Sequence, residues 1–394
     1  MKLTRAHIDE VLRASADLAE RRRYWEVSKQ AGPALKQGLA ELRDLRNQVA
    51  RQLGYTSYFH LQVADYGMSV AEMMKLMEET VAAVSAGELV VIPTDTVYGI
   101  VCDAQHEGAK RRIYELKGRG FEKPLIGLVG NIDAAKRYAV VNEPTSRILA
   151  RAWPGAVTFL LRAHRDIPMM TSRSGEIGLR IPCHPFLLAC LSESGALAST
   201  SANLSGQPAA RSIQEIPDAL RDAVALCVDG GRTPGRESAI WRLTDGHPRL
   251  VRGTVLFVCE GNTCRSQIAE HLLRRRLPSS SQIKVASAGL LASAGEPLPR
   301  LTAEALAEKG IDAHGSAATP LTERLAREAD LVFVMTEDQK QRMELLFPFL
   351  TEKVAPVTVL QVDDPAGGDI FRYRQIRDIL TQRIEETVLR SVAL

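Results

Sequence analysis

One run of eight residues limits the possible folds of this chain more than any other: Cys259-Glu260-Gly261-Asn262-Thr263-Cys264-Arg265-Ser266. It follows a short apolar strand, Thr254-Val255-Leu256-Phe257-Val258, and precedes an amphipathic helix over 266–276. A loop between a buried strand and a helix start aims successive backbone N–H groups at one centre, and such a centre binds a tetrahedral oxyanion. Gly261 allows the backbone angles the loop needs. Arg265 closes it with a planar, bidentate donor. A cysteine at that place, near a helix N-terminus and an arginine, is expected to ionise easily and to attack phosphorus. The leaving group then needs a proton from an acid across the cleft. Asp364, after the last apolar run, fits that role, with Asp363 as the alternative.

The strand requirement organises the rest of the chain. Residues 1–68 read as a helical appendage: a hairpin broken at Ala31-Gly32-Pro33, whose second helix lines up Leu35, Leu39, Leu42, Leu45 and Val49 and stops at Gly54. From 69 to 252 the pattern becomes α/β. A helix over 70–85 leads to strand-like runs at 88–93, 125–129, 157–161, 177–181 and 225–228, with a helix over 108–116. A second α/β unit, 253–394, starts almost without a linker. Its strands are expected at 254–258, 283–286, 331–335 and 357–361, a four-stranded parallel sheet of Rossmann-like form. A length of 394 residues suits two or three domains. Six scattered cysteines make no disulfide framework and suit a reducing cytoplasm. A net charge of +3 and 5% aromatic residues give no ground for a large nucleic-acid surface. No apolar run is long enough to cross a bilayer, and neither a Walker loop nor an H-E-x-x-H or paired C-x-x-C zinc motif occurs.

The C-terminal unit resembles the low-molecular-weight protein tyrosine phosphatase family. The matching residues are the loop above, Ser287-Ala288-Gly289, Ala329-Asp330-Leu331 with Met335, and Asp364-Pro365 with Tyr373. The resemblance implies Cys259 as nucleophile, Arg265 as transition-state clamp, Asp364 as general acid, a Ser266 hydrogen bond to the sulfur, and Asn262 as a prop for the loop. It implies no cofactor. Cys264 is expected to form a reversible disulfide with Cys259 that protects it from overoxidation. Thr263 stands where the tyrosine phosphatases usually carry an aliphatic residue and bacterial protein-arginine phosphatases carry threonine. The aromatic wall usual beside the acid is replaced by Ala366-Gly367-Gly368-Asp369. Both departures favour phosphoarginine over phosphotyrosine in a phosphorylated protein substrate. With no cysteine after Cys264, arsenate reduction is disfavoured.

In the middle unit, Thr94 and Thr96 end a strand, Lys117, Arg119 and Lys123 crowd cations that a shared polyanion would relieve, and Ser199–Gly206 packs hydroxyls and an amide into one turn. The unit resembles the YrdC-type threonylcarbamoyl-AMP synthase family. The matching residues are Pro93–Gly99, Lys117-Gly118-Arg119, Trp153-Pro154-Gly155 with Thr158, and Arg180-Ile181-Pro182. They continue through Ser201-Ala202-Asn203 with Ser205-Gly206, and Asp229-Gly230-Gly231 with Ser238. The resemblance implies condensation of L-threonine, bicarbonate and ATP, with Mg²⁺, into threonylcarbamoyl-AMP and pyrophosphate, the product serving tRNA modification. Thr96 and Arg180 would hold threonine. Lys117, Arg119 and Lys123 would grip the phosphates, and Ser201, Asn203 and Ser238 would line the nucleotide pocket. tRNA or tRNA-modification proteins are further expected partners, and no membrane. Leu128, Ala209 and Ala239 depart from the family's usual histidine, serine and threonine. The competing expectation is a YrdC-like nucleotide- or tRNA-binding or carbamoyltransferase module beside an active tyrosine phosphatase; pyrophosphate release separates the two.

Overall fold

The computed structural model describes residues 11, 15, 17–29, 31–64 and 67–393. The chain divides into two compact units, Met1–Leu76 and Met77–Leu394. The expectation for residues 1–10 and for the Leu35 side chain lies outside the described residues.

In the first unit, helices run over Leu18–Lys29, Ala31–Gln52 and Tyr58–Ala64. The expected break at Ala31-Gly32-Pro33 is corrected: all three residues belong to the second helix. Proline is tolerated there because first-turn N–H groups have no intrahelical acceptor to lose. Gly54 does end this region in the left-handed conformation, φ +88°, with the Tyr55 N–H returning to the Ala50 carbonyl at 2.9 Å. Leu39, Leu45 and Val49 are exposed.

The second unit contains one twelve-stranded sheet: β1 (Val90–Ile92), β2 (Gly99–Asp103), β3 (Ile126–Leu128), β4 (Val157–Arg162), β5 (Glu176–Arg180), β6 (Leu197–Ser201), β7 (Leu226–Cys227), β8 (Ala239–Arg242), β9 (Arg249–Cys259), β10 (Gln282–Gly289), β11 (Leu331–Val334) and β12 (Thr358–Val359). The strand order is β12-β11-β9-β8-β4-β5-β3-β6-β2-β1-β7, with β10 also on β9. The last four strands in sequence, β9 to β12, pair only in parallel with one another, as expected of the C-terminal unit. Before β9 the pairing is mixed: β1/β2, β2/β6, β3/β6 and β4/β5 are antiparallel, while β1/β7, β3/β5 and β4/β8 are parallel.

Three strands were not anticipated, β2, β6 and β8. The Ser199–Ser201 part of the expected hydroxyl-rich turn is corrected to strand: it pairs with β2 and, at Ser199, with β3, and the turn begins only at Ala202. Side-chain polarity hides such a strand, because it is the neighbouring backbone that holds it.

Strand β9 crosses from the first α/β half to the second. Arg249–Arg252 pair with β8, Val255–Val258 with β11, and Arg252–Cys259 with β10. Its second half is a continuous buried run, as a parallel strand covered on both faces should be. At Gly253, φ is +154° and a Cβ would lie 2.5 Å from Asp330 Oδ2. Only glycine fits where the strand passes that carboxylate. Phe257 and Phe333 stack at 5.6 Å in the core beneath the loop that follows.

Candidate active sites

The candidate phosphate loop begins where β9 ends. Cys259 Sγ lies 2.9 Å from Ser266 Oγ and receives the Asn262 N–H at 3.3 Å. Asn262, fully buried at φ +55°, is locked from all sides. Its amide nitrogen donates to Ser266 Oγ and Ser287 Oγ, both at 2.8 Å. Its amide oxygen accepts from Thr319 N at 2.7 Å and Gln267 Nε2 at 3.2 Å. Ser287 in turn donates to the buried Glu270 carboxylate. Because that carboxylate only accepts, Ser287 accepts from Asn262, Ser266 accepts from Asn262, and the Ser266 proton remains for the sulfur.

Arg265, buried, donates to the Val362 carbonyl at 3.3 Å and pairs with the Asp364 carboxylate. Asp363 is turned outward, 3.5 Å from Arg372. Of the two carboxylates, Asp364 is thus the one against the loop. Thr263 gives its carbonyl to the Thr302 hydroxyl at 3.2 Å. Cys259 and Cys264 are both free thiols, and burial pushes the Cys264 thiol up to about 12.

Two supports were not legible as such. Glu260 is held by Arg342, whose Nη1 lies 2.9 Å from both carboxylate oxygens. Gly289, at the end of β10, comes so close to the loop that a Cβ would stand 2.7 Å from the Glu260 carbonyl and 2.8 Å from Asn262 N. Both are backbone atoms that cannot yield cheaply. Gly289→Ala is therefore expected to cost about 1–3 kcal/mol of stability. It should also slow phosphate release by roughly 10²-fold through displacement of the loop. Thermal unfolding and a p-nitrophenyl phosphate assay check this; an unchanged rate would refute it.

In the first half, Thr94 and Thr96 follow β1 and their hydroxyls lie 2.7 Å apart. Arg180, at the end of β5, reaches Thr96: Nη1 donates to Thr96 Oγ1 at 2.9 Å, Nε to the Gly155 carbonyl at 3.0 Å, and Nη2 pairs with Asp95. Three of the five guanidinium N–H groups are engaged, and two remain for an incoming carboxylate. Asp95 belongs to the sequence pattern, but its pairing is nonlocal and no local signal gave it.

Lys117, at the end of the helix Glu107–Lys117, is buried among oxygens: the Ser201 carbonyl, the Asn203 carbonyl at 2.5 Å and Asn203 Oδ1 at 2.9 Å. Ser201 Oγ donates to the same Oδ1 at 2.5 Å. Burial first, then the neighbouring Arg119, pulls the Lys117 ammonium down to about 8. Burial likewise lowers Arg119, whose Nε donates to the Lys123 carbonyl at 3.0 Å. The Lys123 side chain itself is exposed. Ser238, buried, bonds Thr158 Oγ1 at 2.9 Å.

Sequence reasoning missed Arg252. From β9 its Nη2 donates to Ser238 Oγ at 3.2 Å, its Nε to the Ser238 carbonyl at 3.1 Å, and its Nη1 pairs with Glu237 at 3.3 Å. Burial lowers it, and the charge of Arg119 lowers it further. Lys117, Arg119 and Arg252 thus form one cationic cluster. Leu128, the departure from the family's usual histidine, is buried on β3, where it pairs with Arg180 of β5 and with Leu197 of β6. Among the described residues no group of three or more His, Cys, Asp or Glu is placed to hold a metal ion.

The Sua5/YciO/YrdC family model, described as "Telomere recombination", matches residues 82–254, and that of "Low molecular weight phosphotyrosine protein phosphatase" matches 254–393. Threonylcarbamoyl-AMP synthase of Bacillus subtilis is 35% identical over 179 residues, 44% of this chain and 52% of that protein. The chain thus spans about half the length of that relative. A protein of Mycobacterium tuberculosis named "Putative threonylcarbamoyl-AMP synthase" is 36% identical over 175 residues, 44% of this chain and 81% of that protein. Among solved structures, YwlE arginine phosphatase from Geobacillus stearothermophilus is 32% identical, covering 35% of this chain and 92% of that one, with a TM-score of 0.32. Among the described residues no helix is long and apolar enough to cross a membrane. The chain belongs to the Sua5/YciO/YrdC family over residues 82–254 and to the low-molecular-weight phosphatase family over residues 254–393.

Proposed function

We propose that this chain is a bifunctional enzyme. Its first α/β half condenses L-threonine, bicarbonate and ATP into threonylcarbamoyl-AMP, releasing pyrophosphate; the product serves tRNA modification. Its second hydrolyses phosphorylated protein through Cys259, with phosphoarginine preferred over phosphotyrosine. The observation that carries the first reading is the Arg180–Thr96 pair beside the Lys117, Arg119 and Arg252 cluster. It offers a carboxylate and hydroxyl site next to a triphosphate site. Arg180 takes the threonine carboxylate with its two uncommitted N–H groups, and Thr96 orients it. The cations neutralise the phosphates, with Ser201, Asn203 and Ser238 around the nucleotide. Lys123 reaches the outer phosphate from the surface. Catalysis is positioning and charge neutralisation. The triphosphate would be taken as its magnesium complex, the metal adding to the neutralisation of phosphate charge with one or two carboxylates beside it. Glu237 and Asp95 are the carboxylates at hand.

In the second half the carrying observation is Cys259 Sγ at 2.9 Å from Ser266 Oγ, with Arg265 paired to Asp364. A phosphoryl group entering the loop takes over the Arg265 guanidinium and frees the Asp364 carboxylate, which takes up the proton that the Cys259 thiol gives up. The thiolate attacks phosphorus, the bond from phosphorus to the leaving nitrogen or oxygen breaks, and Asp364 gives that atom its proton. Water then cleaves the phosphocysteine, Asp364 taking the proton back. The preference for phosphoarginine is supported by Thr263 at the loop and by the Pro365–Asp369 segment, where Ala366 N donates to Asp364 Oδ1 and no aromatic ring offers stacking. Six unpaired cysteines, one of them the nucleophile, suit a reducing cytoplasm.

The test uses one purified sample. L-threonine, bicarbonate and ATP should yield pyrophosphate and an adenylate product; their absence overturns the first reading. Phosphoarginine peptides should turn over faster than phosphotyrosine peptides; equal or slower turnover overturns the preference.

A further inference from the structure

Between Asp229 and Ser238 the chain runs without regular secondary structure, and it borders the first site at both ends. Gly235 N donates to the Thr96 carbonyl at 2.8 Å. Ser238 carries the buried hydroxyl bonded to Thr158 and Arg252. With Gly230, Gly231 and Gly235 in it, the last two at φ +73° and +79°, this segment is intrinsically pliant. Its backbone is anchored at Thr233, Gly235 and Ala239. Between the last two anchors it is held by the Ser238 carbonyl and hydroxyl and by Glu237 on Arg252, and by Arg236 on Asp330.

That last contact leaves the synthase-family half. Asp330 stands at the foot of β11, in the phosphatase-family half. One oxygen, Oδ2, accepts from Arg236 Nη2 at 2.5 Å and from Thr254 N at 2.8 Å. The carboxylate side chain is 12% exposed and the Arg236 side chain 39%. The same oxygen is the atom that forbids a side chain at Gly253. A single carboxylate, 12% exposed, thus ties β9 at Gly253 and Thr254 to the pliant segment beside Thr96 and Ser238. Burial pushes the Asp330 carboxyl up, and Arg236 and the Thr254 amide oppose that.

We infer that Asp330 of the phosphatase half is a positioning residue for the synthase site: through Arg236 it holds the Gly235–Ser238 segment in register with Thr96 and Arg252. This rests on the synthase reading above. The two families then share more than a chain, because the pocket of one is completed by a carboxylate of the other. Asp330 touches neither substrate nor the phosphate loop. Its loss should loosen substrate binding in the first half and leave the second half's chemistry alone.

The test compares Asp330→Asn, Arg236→Gln and the double variant in the full chain. Asparagine keeps an oxygen for Thr254 N, and glutamine at 236 leaves the β9–β11 contact intact. Each single variant should raise KM for L-threonine or ATP roughly tenfold, with kcat within about twofold. The double variant should be no worse than either single, as for two ends of one contact. Arg236→Lys should restore part of the affinity. Phosphate release from p-nitrophenyl phosphate should be unchanged throughout. An unchanged KM in Arg236→Gln overturns the inference, as does parallel loss of both activities in Asp330→Asn, which would mark a residue of the common core. A wild-type chain that releases no pyrophosphate overturns the underlying synthase reading; an active wild type with an unaffected Arg236→Gln overturns only the positioning role.

Discussion

Cys259→Ser is expected to lower phosphate release by about 10⁴-fold or more while leaving threonine-dependent pyrophosphate release at the wild-type rate. The size follows from the step removed. Cys259 Sγ sits at the end of β9 with Ser266 Oγ at 2.9 Å and the Asn262 N–H at 3.3 Å, so every neighbour is arranged to stabilise negative charge on that atom. A serine hydroxyl at this place has no general base to ionise it, and a hydroxyl is a far weaker nucleophile than a thiolate at neutral pH. The substitution is nearly isosteric in a buried position, so the fold should persist. Release of phosphate from p-nitrophenyl phosphate measures the first effect, and pyrophosphate formation in the same sample measures the second. Residual phosphatase turnover within tenfold of wild type would exclude Cys259 as nucleophile.

Lys117→Met should reduce kcat/KM for ATP by roughly 10²–10³-fold. The ammonium is buried, is held by the Ser201 and Asn203 carbonyls and Asn203 Oδ1, and lies beside Arg119. Methionine fills the stem's volume but supplies no charge. The wild-type site carries a pH signature as well. With its ammonium pulled down to about 8 by burial, Lys117 is charged below that value and neutral above it. KM for ATP should therefore rise as pH increases through about 8, and this rise should vanish in Lys117→Met. Stability should move the opposite way. The folded value lies below the ordinary 10.5, so between about 8 and 10.5 the unfolded chain binds more protons, and this group's contribution to stability increases with pH. Initial-rate kinetics and denaturant melts at stepped pH check the two signs. A KM flat across pH 7–9 would refute the assignment of Lys117 to the phosphates.

Much of the second site could be read in one dimension. Cys259 to Ser266 are contiguous, and strand, loop and helix start follow one another, so the chemistry of the loop is a property of local geometry. The props are different in kind. Ser287 and Gly289 come from β10, Thr319 from beyond it and Arg342 from a later helix, and only chain crossings bring them to Asn262 and Glu260. In the first half, Lys117 with Asn203 and Thr96 with Arg180 were both expected around one ligand, and the structure brings each pair within hydrogen-bonding distance. Arg252 escaped notice because it reads as one more basic residue in an alternating strand. Its meaning comes from the pairing of β9 with β8, which sets it beside Ser238.

The sequence by itself determined the two families and the order of the two α/β halves, and it supplied the residues proposed for the nucleophile loop and the phosphate site. These are carried by short, contiguous runs whose backbone geometry follows from glycine, from strand-to-helix turns and from apolar patterning. Only the tertiary structure decided that the halves form one continuous sheet through β9, that Arg252 joins the first site from that strand, and that Asp330 reaches back across the boundary to Arg236. Strand register and ion pairing between residues tens of positions apart depend on which backbone edges meet. No local pattern of residues encodes that choice, because it is made by the packing of the whole sheet.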